Sequence, residues 1–257
     1  MSSRLIPAER RNLILAELER EGSVRVLELS NLLGVSEVTI RRDLELLEGE
    51  RLLERTHGGA VLSRQIWVEP VYSAKHQSHL PEKRKIGAAA ADLVEPGETL
   101  FINSGSTTLQ IFRNLARKQA HVITSNAGVI PECQDLDIEL SLTGGTYRGQ
   151  SHSFVGALAL QTLKRFYASK CFIGVDGISL QYGLTTPNLE EAEIARTMIE
   201  NTLGKVVIVA DHSKIGMVAN CVSAPVEKVD ILVVDPGIDE DYRQELENLG
   251  IQIIIAS

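Results

Sequence analysis

Apolar positions recur every three to four residues in three stretches near the start of the chain, a period typical of helices that bury one face. This spacing predicts helices over Ala8–Arg20, Val26–Leu33 and Glu37–Gly49. Two short apolar stretches follow at 52–56 and 60–62, separated by a glycine turn, and they predict a β-hairpin. Three helices followed by a hairpin indicate a winged helix-turn-helix.

Beyond residue 82 the pattern changes to apolar runs of strand length that alternate with longer helix-like stretches. The predicted strands are Thr99–Ile102, Val122–Thr124, Ile138–Leu142, Cys171–Val175, Val206–Ala210, Ile231–Val234 and Ile251–Ile255. The predicted helices cover 83–94, 107–118, 153–167, 188–202 and 239–249. Short apolar strands alternating with helices are typical of a mostly parallel sheet covered by helices. The fold class is therefore α/β, with a winged helix at 1–62, a linker at 63–82 and an α/β domain at 83–257.

The third predicted helix has the features of a helix that reads DNA. Its apolar residues share one face, and Arg42 lies on the opposite face. An arginine placed in this way suits the O6 and N7 atoms of guanine in the major groove. Ser36, Thr39 and Arg41 suit phosphates, which fix the position of the helix without reading sequence. The predicted DNA contacts are Ser36, Glu37, Thr39, Arg41 and Arg42, together with His57 at the tip of the hairpin.

A small helical dimerisation domain with a charged surface is the alternative for this region. Glu37, Glu45 and Glu48 lie in the same helix and weaken its attraction to DNA. In favour of DNA, all ten basic residues among the first 64 are arginines, whose planar fork binds phosphates and guanine edges with two hydrogen bonds.

A polar loop follows the first predicted strand of the α/β domain. It has the sequence Asn103-Ser104-Gly105-Ser106-Thr107-Thr108, and its hydroxyl and backbone N–H groups suit phosphate oxygens. Its spacing matches neither a P-loop nor the GxGxxG fingerprint, which disfavours nucleotide hydrolysis and dinucleotide binding. Further polar turns follow later strands, and we expect them to converge because open parallel sheets bind ligands at the carboxyl ends of their strands. For each turn taken alone, a structural role as a cap is the alternative.

Composition narrows the remaining classes. The 257 residues carry a net charge of −8, which argues against a protein that coats nucleic acid along its whole surface. Three distant cysteines without CxxC spacing disfavour a disulfide framework or a zinc site. The histidines have no paired spacing, so no metal is predicted. The absence of a long apolar span or a secretory signal pattern leads us to expect a cytoplasmic protein with no membrane partner.

These patterns together resemble the DeoR/GlpR family of bacterial transcriptional regulators. The resemblance rests on Val35-Ser36 and Thr39–Leu44 with Leu47, on Arg55–Ala60, on Glu82-Lys83, and on the loops Ser104–Thr108, Thr143–Gly145, Phe154–Gly156, Phe172–Gly177, Gly183–Thr186 and Asp211–Lys214. It covers nearly the whole chain. It implies a repressor of a sugar or polyol catabolic operon whose C-terminal domain, similar to ribose-5-phosphate isomerase, binds a phosphorylated sugar. The family often has Asp where this chain has Asn103, which removes a charge beside the polar loop.

The resemblance and the polar turns assign the phosphorylated sugar to one pocket. The predicted contacts are Lys83, Ser104, Gly105, Ser106, Thr107, Thr108, Asn126, Gly144, Gly145, Arg148, Asp176, Thr185 and Lys214. The lysines and the arginine of this set supply positive charge for a phosphate. Glu190 or Glu191 is a candidate acceptor for sugar hydroxyls. No catalytic residue and no cofactor is predicted.

A sugar-phosphate isomerase or deaminase with an accessory DNA-binding domain is the main alternative, and an architectural DNA binder is another. The isomerases carry an aspartate-rich DGADE turn and a KGGG loop with a catalytic lysine. This chain has Asp176–Leu180 (DGISL) and Gly183–Thr186 (GLTT) in their places. Moving a proton between neighbouring carbons needs both a base and a group that stabilises the enediolate, so binding without turnover is expected.

The predicted partners follow from the expected role as a ligand-controlled repressor. They are operator DNA, a phosphorylated sugar or polyol, and further copies of the chain in a homodimer or homotetramer. A symmetric oligomer is expected because one short recognition helix makes too few base contacts for operator specificity. The effector is expected to act on the winged helices through the linker at 63–82, and it must bind one arrangement more tightly than the other.

Overall fold

The structure is a computed structural model that describes most of the chain. The described residues are 7–49, 53–56, 58–62, 72–116, 118–133 and 137–257. Of the predicted DNA contacts, His57 lies outside these ranges, as do residues 63–71 of the predicted linker.

The N-terminal part is a winged helix-turn-helix. In chain order it contains α1 (Pro7–Glu21), β1 (Ser23–Arg25), α2 (Val26–Leu33), α3 (Glu37–Gly49), β2 (Leu53–Arg55) and β3 (Gly59–Leu62). The predicted three helices and hairpin are therefore confirmed. The hairpin also pairs with β1, in the order β1-β3-β2, and this third strand was not predicted because three residues give no alternation to detect.

The three helices bury the apolar faces that the spacing predicted. Ile14 and Leu18 of α1 pack with Ile40, Leu44 and Leu47 of α3, and each is at most 1% exposed. The turn between α2 and α3 depends on Gly34, which has a φ of +64°. A side chain at this φ would be strained, so glycine allows α3 to leave α2 at a sharp angle.

An ion pair inside this domain joins the first helix to the recognition helix. Arg10 donates from Nη2 to Oδ1 of Asp43 over 3.1 Å and from Nε to Oδ2 over 2.5 Å. Both side chains are almost fully buried, at 10% and 4% exposure, and the hydrogen bond to Asp43 raises the pKa of Arg10. This two-bond geometry fixes the rotation of α3 about its axis, and with it the direction of the exposed arginines.

The C-terminal part is an α/β domain. In chain order it contains α4 (Tyr72–Gln77), α5 (Leu80–Asp92), β4 (Thr99–Ile102), α6 (Thr108–Phe112), β5 (His121–Thr124), β6 (Glu139–Leu142), β7 (Thr146–Arg148), β8 (Ser153–Val155), α7 (Ala157–Leu163), β9 (Ala168–Gly174), β10 (Gly177–Ser179), β11 (Gly183–Thr186), α8 (Leu189–Glu200), β12 (Thr202–Val209), β13 (Cys221–Ala224), β14 (Ile231–Val234), α9 (Glu240–Asn248) and β15 (Gln252–Ile255).

All seven predicted strands lie in one parallel sheet of order β15-β14-β12-β9-β4-β5-β6. Two apolar clusters cover its two faces. The chain first builds outward from β4 through β5 to β6, and later from β9 through β12 and β14 to β15. The direction of building therefore reverses between the neighbours β4 and β9, which makes this the switch point of the sheet.

Three sequence-based expectations for this domain differ from the structure. The predicted helix at 153–167 is a strand, β8, followed by the short helix α7, because Gly156 at φ +87° breaks the helical path. The polar turns expected after β9 include two short strands, β10 and β11, which form a small antiparallel sheet with β13 in the order β10-β11-β13. Helix α5 begins at Leu80 and is preceded by α4, so the C-terminal end of the predicted linker is helical.

The wing packs directly on the α/β domain. Val61 of β3 is 1% exposed and belongs to the apolar core of the α/β domain. In return, Met217 packs into the core of the winged helix. Gly216 has a φ of +77°, and a Cβ there would lie 2.6 Å from the Cβ of Val61, so only glycine allows this approach. Arg25 and Asp239 add an ion pair of 3.9 Å.

Within the described part of the chain, no helix combines the length and the apolar character that crossing a bilayer requires.

We predict that Asp43→Asn destabilises the winged helix by about 3–5 kcal/mol, because it leaves the buried Arg10 charge without its partner. Urea unfolding followed by circular dichroism measures the change. Glu37→Gln is the matched control, since the Glu37–Arg41 pair on the same helix is exposed and such pairs contribute about 0.3–0.5 kcal/mol. Equal effects of the two variants would contradict the structural role of Arg10–Asp43.

Candidate effector cavity and DNA-facing surface

A cavity of about 240 Å³ opens at the carboxyl ends of β4 and β9. It lies at the switch point of the sheet, where loops from neighbouring strands diverge and leave a crevice. The residues that line it are Lys75, Ser78, Lys83, Asn103, Ser104, Gly105, Ser106, Thr107, Ser151, Gly174, Val175, Asp176, Thr186, Glu191, Ile194, Ala195, Lys214 and Ser223.

The side chain of Asn103 joins the two strands at the floor of the cavity. Its Nδ2 donates to the carbonyl of Gly174 over 2.9 Å, and its Oδ1 accepts from the N–H of Gly174 over 2.8 Å. An aspartate has no donor for the carbonyl. The two hydrogen bonds with Gly174 of β9 therefore explain why this position holds asparagine rather than aspartate.

The polar loop after β4 is held in place from behind. Oγ1 of Thr108 donates to the carbonyl of Asn103 over 2.9 Å. Nδ2 of Asn126 donates to the carbonyl of Gly105 over 3.3 Å, and the N–H of Ser104 donates to Oγ of Ser125 over 3.2 Å. These bonds fix the loop before any ligand binds and leave Ser106 and Thr107 on the cavity wall.

Lysines from three different elements surround the cavity. Lys83 of α5 is only 3% exposed; its Nζ donates to the carbonyls of Lys75 and Ser78 and lies 3.8 Å from Oδ2 of Asp211. Burial lowers the pKa of Lys83, and the nearby Asp211 opposes that shift. Lys214 lines the cavity from the turn after β12.

Two carboxylates face the same cavity. Asp176 forms an ion pair with Lys75 at 2.7 Å and accepts from Oγ1 of Thr186 over 3.1 Å. Oε1 of Glu191 accepts from Oγ of Ser153 over 2.7 Å and lies 3.8 Å from Nη1 of Arg148. The cavity thus combines cations, hydroxyls and carboxylates, a set that suits a small, polar, anionic ligand rather than an apolar one.

The structure brings together seven of the predicted effector contacts on the cavity wall: Lys83, Ser104, Gly105, Ser106, Thr107, Asp176 and Lys214. It places six others behind or beside the wall: Thr108, Asn126, Gly144, Gly145, Arg148 and Thr185.

Each of these six has a local role that the structure explains. Thr108 and Asn126 support the polar loop, as described above. Oγ1 of Thr185 accepts from the N–H of Ala219 over 2.9 Å, so this side chain is used inside the fold. Its neighbour Thr186 lines the cavity. Gly144 and Gly145 turn the chain with φ of +65° and +103°. Arg148 donates from Nη1 to Oγ of Ser151 over 3.0 Å and so positions a wall residue.

Several wall residues were missed by sequence reasoning. Lys75 and Ser78 fall in the stretch predicted as a linker, where no periodic pattern marked them. Ser151 lies in a turn between β7 and β8, two strands too short to predict. Glu191 was considered together with Glu190, and only Glu191 reaches the cavity. Among the described residues no cluster of three or more His, Cys, Asp or Glu side chains is arranged to hold a metal ion.

The exposed face of α3 carries the predicted DNA contacts. Arg41 and Arg42 are exposed, whereas Ile40 and Asp43 on either side of them are buried. Oγ of Ser36 lies 2.9 Å from Oγ1 of Thr39 at the start of the helix.

The three acidic side chains of α3, Glu37, Glu45 and Glu48, each contact an arginine residue. Glu37 lies 3.8 Å from Arg41, and Glu45 accepts from Arg55 of the wing over 3.0 Å. Glu48 accepts from the N–H of Arg55 over 3.2 Å. The negative charge on α3 therefore serves partly to hold the wing strand against the helix.

Comparisons with known proteins agree across nearly the whole chain. Residues 10–65 match the model of the DeoR-like helix-turn-helix domain, and residues 78–236 match the model of the DeoR C-terminal sensor domain. The HTH-type transcriptional regulator GlpR of Haloferax volcanii is 34% identical over 97% of this chain and 98% of its own length. The HTH-type transcriptional repressor GlcR of Bacillus subtilis is 29% identical over 96% of this chain and 95% of its own length.

Among solved structures, ribose 5-phosphate isomerase A from Methanocaldococcus jannaschii is 17% identical. It covers 54% of this chain and 55% of its own, with a TM-score of 0.40. Nothing about the chemistry of the cavity rests on so distant a likeness.

We predict that Asn103→Asp destabilises the α/β domain by about 1–3 kcal/mol at pH 7, because a carboxylate replaces the donor that Gly174 needs and then faces a carbonyl oxygen. Chemical unfolding of the full chain measures the loss. Asn114→Asp is the control: Asn114 also donates to a carbonyl, that of Gln110, but is exposed, so a change within about 0.5 kcal/mol is expected. A stable Asn103→Asp variant would refute the floor contact.

Proposed function

Because this chain belongs to the DeoR family of transcriptional regulators, we propose that it represses a sugar or polyol catabolic operon and that a phosphorylated sugar in the switch-point cavity controls its affinity for operator DNA. The observation that carries the proposal is a cavity lined by lysines and a prearranged Ser/Thr loop, in the same chain as an exposed pair of arginines on a recognition helix. Its site of action is the cytoplasm, where operator DNA lies.

The winged helix supports sequence-specific binding rather than coating of DNA. Arg42 on α3 is directed away from the domain core, and the buried Arg10–Asp43 pair holds α3 in that rotation. Arg41, Ser36 and Thr39 provide phosphate contacts that position the helix in the groove. One 13-residue helix reads few base pairs, so we propose that the protein acts as a symmetric homo-oligomer.

The cavity supports a phosphorylated ligand that is bound without being converted. The loop 104–107 offers hydroxyls and backbone N–H groups, and the surrounding lysines add positive charge. Asp176 and Glu191, the carboxylates on the wall, are each already engaged by a cation and a hydroxyl, which disfavours a role as a proton-shuttling base. An isomerase with an accessory domain remains the alternative that an activity assay tests directly.

We propose that the effector signal travels through one short segment. This connecting segment, Asp211–Met217, begins at the cavity, where Lys214 lies on the wall. Near its C-terminal end the segment is held by the N–H of Gly216, which donates to the carbonyl of Ile178 over 2.7 Å. It ends with Gly216 against Val61 and Met217 in the core of the winged helix. A ligand that displaces Lys214 therefore acts on the wing itself.

The anchoring of the connecting segment supports this role. His212 donates its N–H to Oδ1 of Asp235 over 2.7 Å, and its ring Nδ1 lies 2.8 Å from Oδ2. The hydrogen bond to Asp235 raises the pKa of His212, against the effect of burial. The segment is thus attached to the end of β14 on one side and to the wing on the other.

The first experiment measures binding of the full-length protein to duplex DNA from upstream of its own gene, with and without a panel of phosphorylated sugars and polyols. We expect sequence-specific binding that falls steeply with salt and that one sugar phosphate shifts. Arg42→Ala is expected to lose about 1–3 kcal/mol of discrimination between operator and random DNA. Arg165→Ala is the control, because that exposed arginine follows α7 in the α/β domain. Conversion of a sugar phosphate at an enzyme-like rate without DNA binding would overturn the proposal.

The second experiment tests the connecting segment. Met217→Ala removes apolar contact with the winged helix while leaving every wall residue in place. We expect this variant to bind the active sugar phosphate with unchanged affinity. In coupled sites a ligand typically changes the affinity of the other site by about 5- to 150-fold, and we expect Met217→Ala to reduce that change clearly. Val233→Ala, a buried truncation in β14, controls for general destabilisation. A full ligand response in Met217→Ala would mean that the signal takes another route.

A further inference from the structure

The charges around the switch-point cavity nearly cancel. Among the described residues, seven charged side chains line it or form an ion pair with a lining side chain: the cations Lys75, Lys83, Lys214 and Arg148, and the carboxylates Asp176, Glu191 and Asp211. Four cations against three carboxylates leave a single positive charge. For comparison, one phosphate monoester carries about −1.5 to −2 at pH 7.

Three of the four cations already lie near a carboxylate. Lys75 lies 2.7 Å from Asp176, Lys83 lies 3.8 Å from Asp211, and Arg148 lies 3.8 Å from Glu191. Each pair is at least three-quarters buried, so these interactions are only weakly screened by solvent. A ligand that brings one phosphate finds enough positive charge and N–H donors, whereas a second anionic group would meet paired charges.

Glu191 places a negative charge directly on the wall. It occupies the first turn of α8, where the N–H of Glu191 donates to the capping Oδ1 of Asn188 over 3.1 Å, and a negative charge is favourable at a helix N-terminus. Its side chain is 11% exposed. Both Ser153 and Arg148 approach Oε1. Within the described part of the chain neither contact uses Oε2, which suits that oxygen to accept a hydroxyl of a ligand.

We infer that the cavity selects ligands with one phosphate and an otherwise uncharged, hydroxyl-bearing body, and that Glu191 sets this selection. Its carboxylate accepts a hydrogen bond from a ligand hydroxyl and repels a second phosphate or a carboxylate. The chemical class is therefore the monophosphates of sugars and polyols, not sugar bisphosphates or phosphorylated sugar acids. This inference rests on the proposed function and narrows its ligand.

The test compares pairs of ligands that differ by one phosphate group. Calorimetric titration of the full-length protein, at constant ionic strength and without magnesium, uses fructose 6-phosphate against fructose 1,6-bisphosphate, glucose 6-phosphate against glucose 1,6-bisphosphate, and inorganic phosphate against pyrophosphate. In the pair that binds most tightly, we expect the monophosphate to bind at least about tenfold better. A tenfold ratio corresponds to about 1.4 kcal/mol.

Glu191→Gln keeps the size of the side chain and its hydrogen bond with Ser153 but removes the charge. We expect the preference for the monophosphate to fall at least about fivefold in this variant. Glu190→Gln is the matched control: Glu190 is the preceding residue on the same helix, is exposed, and does not line the cavity, so it should keep the wild-type ratio.

The outcomes separate the inference from the function beneath it. A wild-type protein that binds a bisphosphate as tightly as its monophosphate overturns the inference alone, and so does an unchanged ratio in Glu191→Gln. If no phosphorylated compound binds at all, the proposed function falls as well. Should Glu191→Gln not fold, as judged by its thermal unfolding, the wild-type ratios still decide the ligand class.

Discussion

The exchange of two hydrogen bonds between Asn103 and the backbone of Gly174 is the contact on which the rest of the site depends. At a switch point the loops after two neighbouring parallel strands turn in opposite directions, so the strands have no further ladder bonds to hold their ends together. The Asn103 side chain supplies a donor and an acceptor on two adjacent atoms at that position, which matches the C=O and N–H of Gly174. With the strand ends held, Thr108, Asn126 and Ser125 fix the loop 104–107 from behind. The cavity is therefore formed before a ligand arrives, which lowers the ordering cost of binding.

Paired charge is the second constraint on the cavity. A lone lysine or carboxylate in a largely buried wall would change its protonation state rather than remain charged. This structure surrounds its buried charges with opposite charges or carbonyls, as Lys83 shows with two backbone acceptors and Asp211. Oδ2 of Asp211 has no hydrogen-bond partner among the described residues, and the Lys83 ammonium at 3.8 Å is its nearest compensation. A wall of charged groups with defined partners can distinguish ligands by their charge.

Much of the fold could be predicted from the sequence, because its strands are buried on both faces and read as continuous apolar runs. The three-residue strands β1, β7, β8 and β10 could not, since three residues are too few to show an alternating pattern. The same division applies to the site. Loops that follow β4 and β9 were predicted, because the carboxyl ends of parallel strands meet at one edge. Lys75 and Ser78 were not, because only the packing of α4 and α5 brings them there. Thr185 and Thr186 are consecutive residues of β11, so their side chains lie on opposite faces of the strand, and only Thr186 lines the cavity.

The exchange of apolar residues between the two domains explains how a small cavity can influence a distant helix. Val61 of the wing is buried in the core of the α/β domain, and Met217 of the α/β domain is buried in the core of the winged helix. Packed cores resist gradual deformation, so a shift at the cavity end of the connecting segment favours one of two packed arrangements over the other. A ligand changes DNA affinity only by the difference in its affinity for those arrangements. Lys214 belongs both to the wall and to the connecting segment, so the proposed signal passes through this residue.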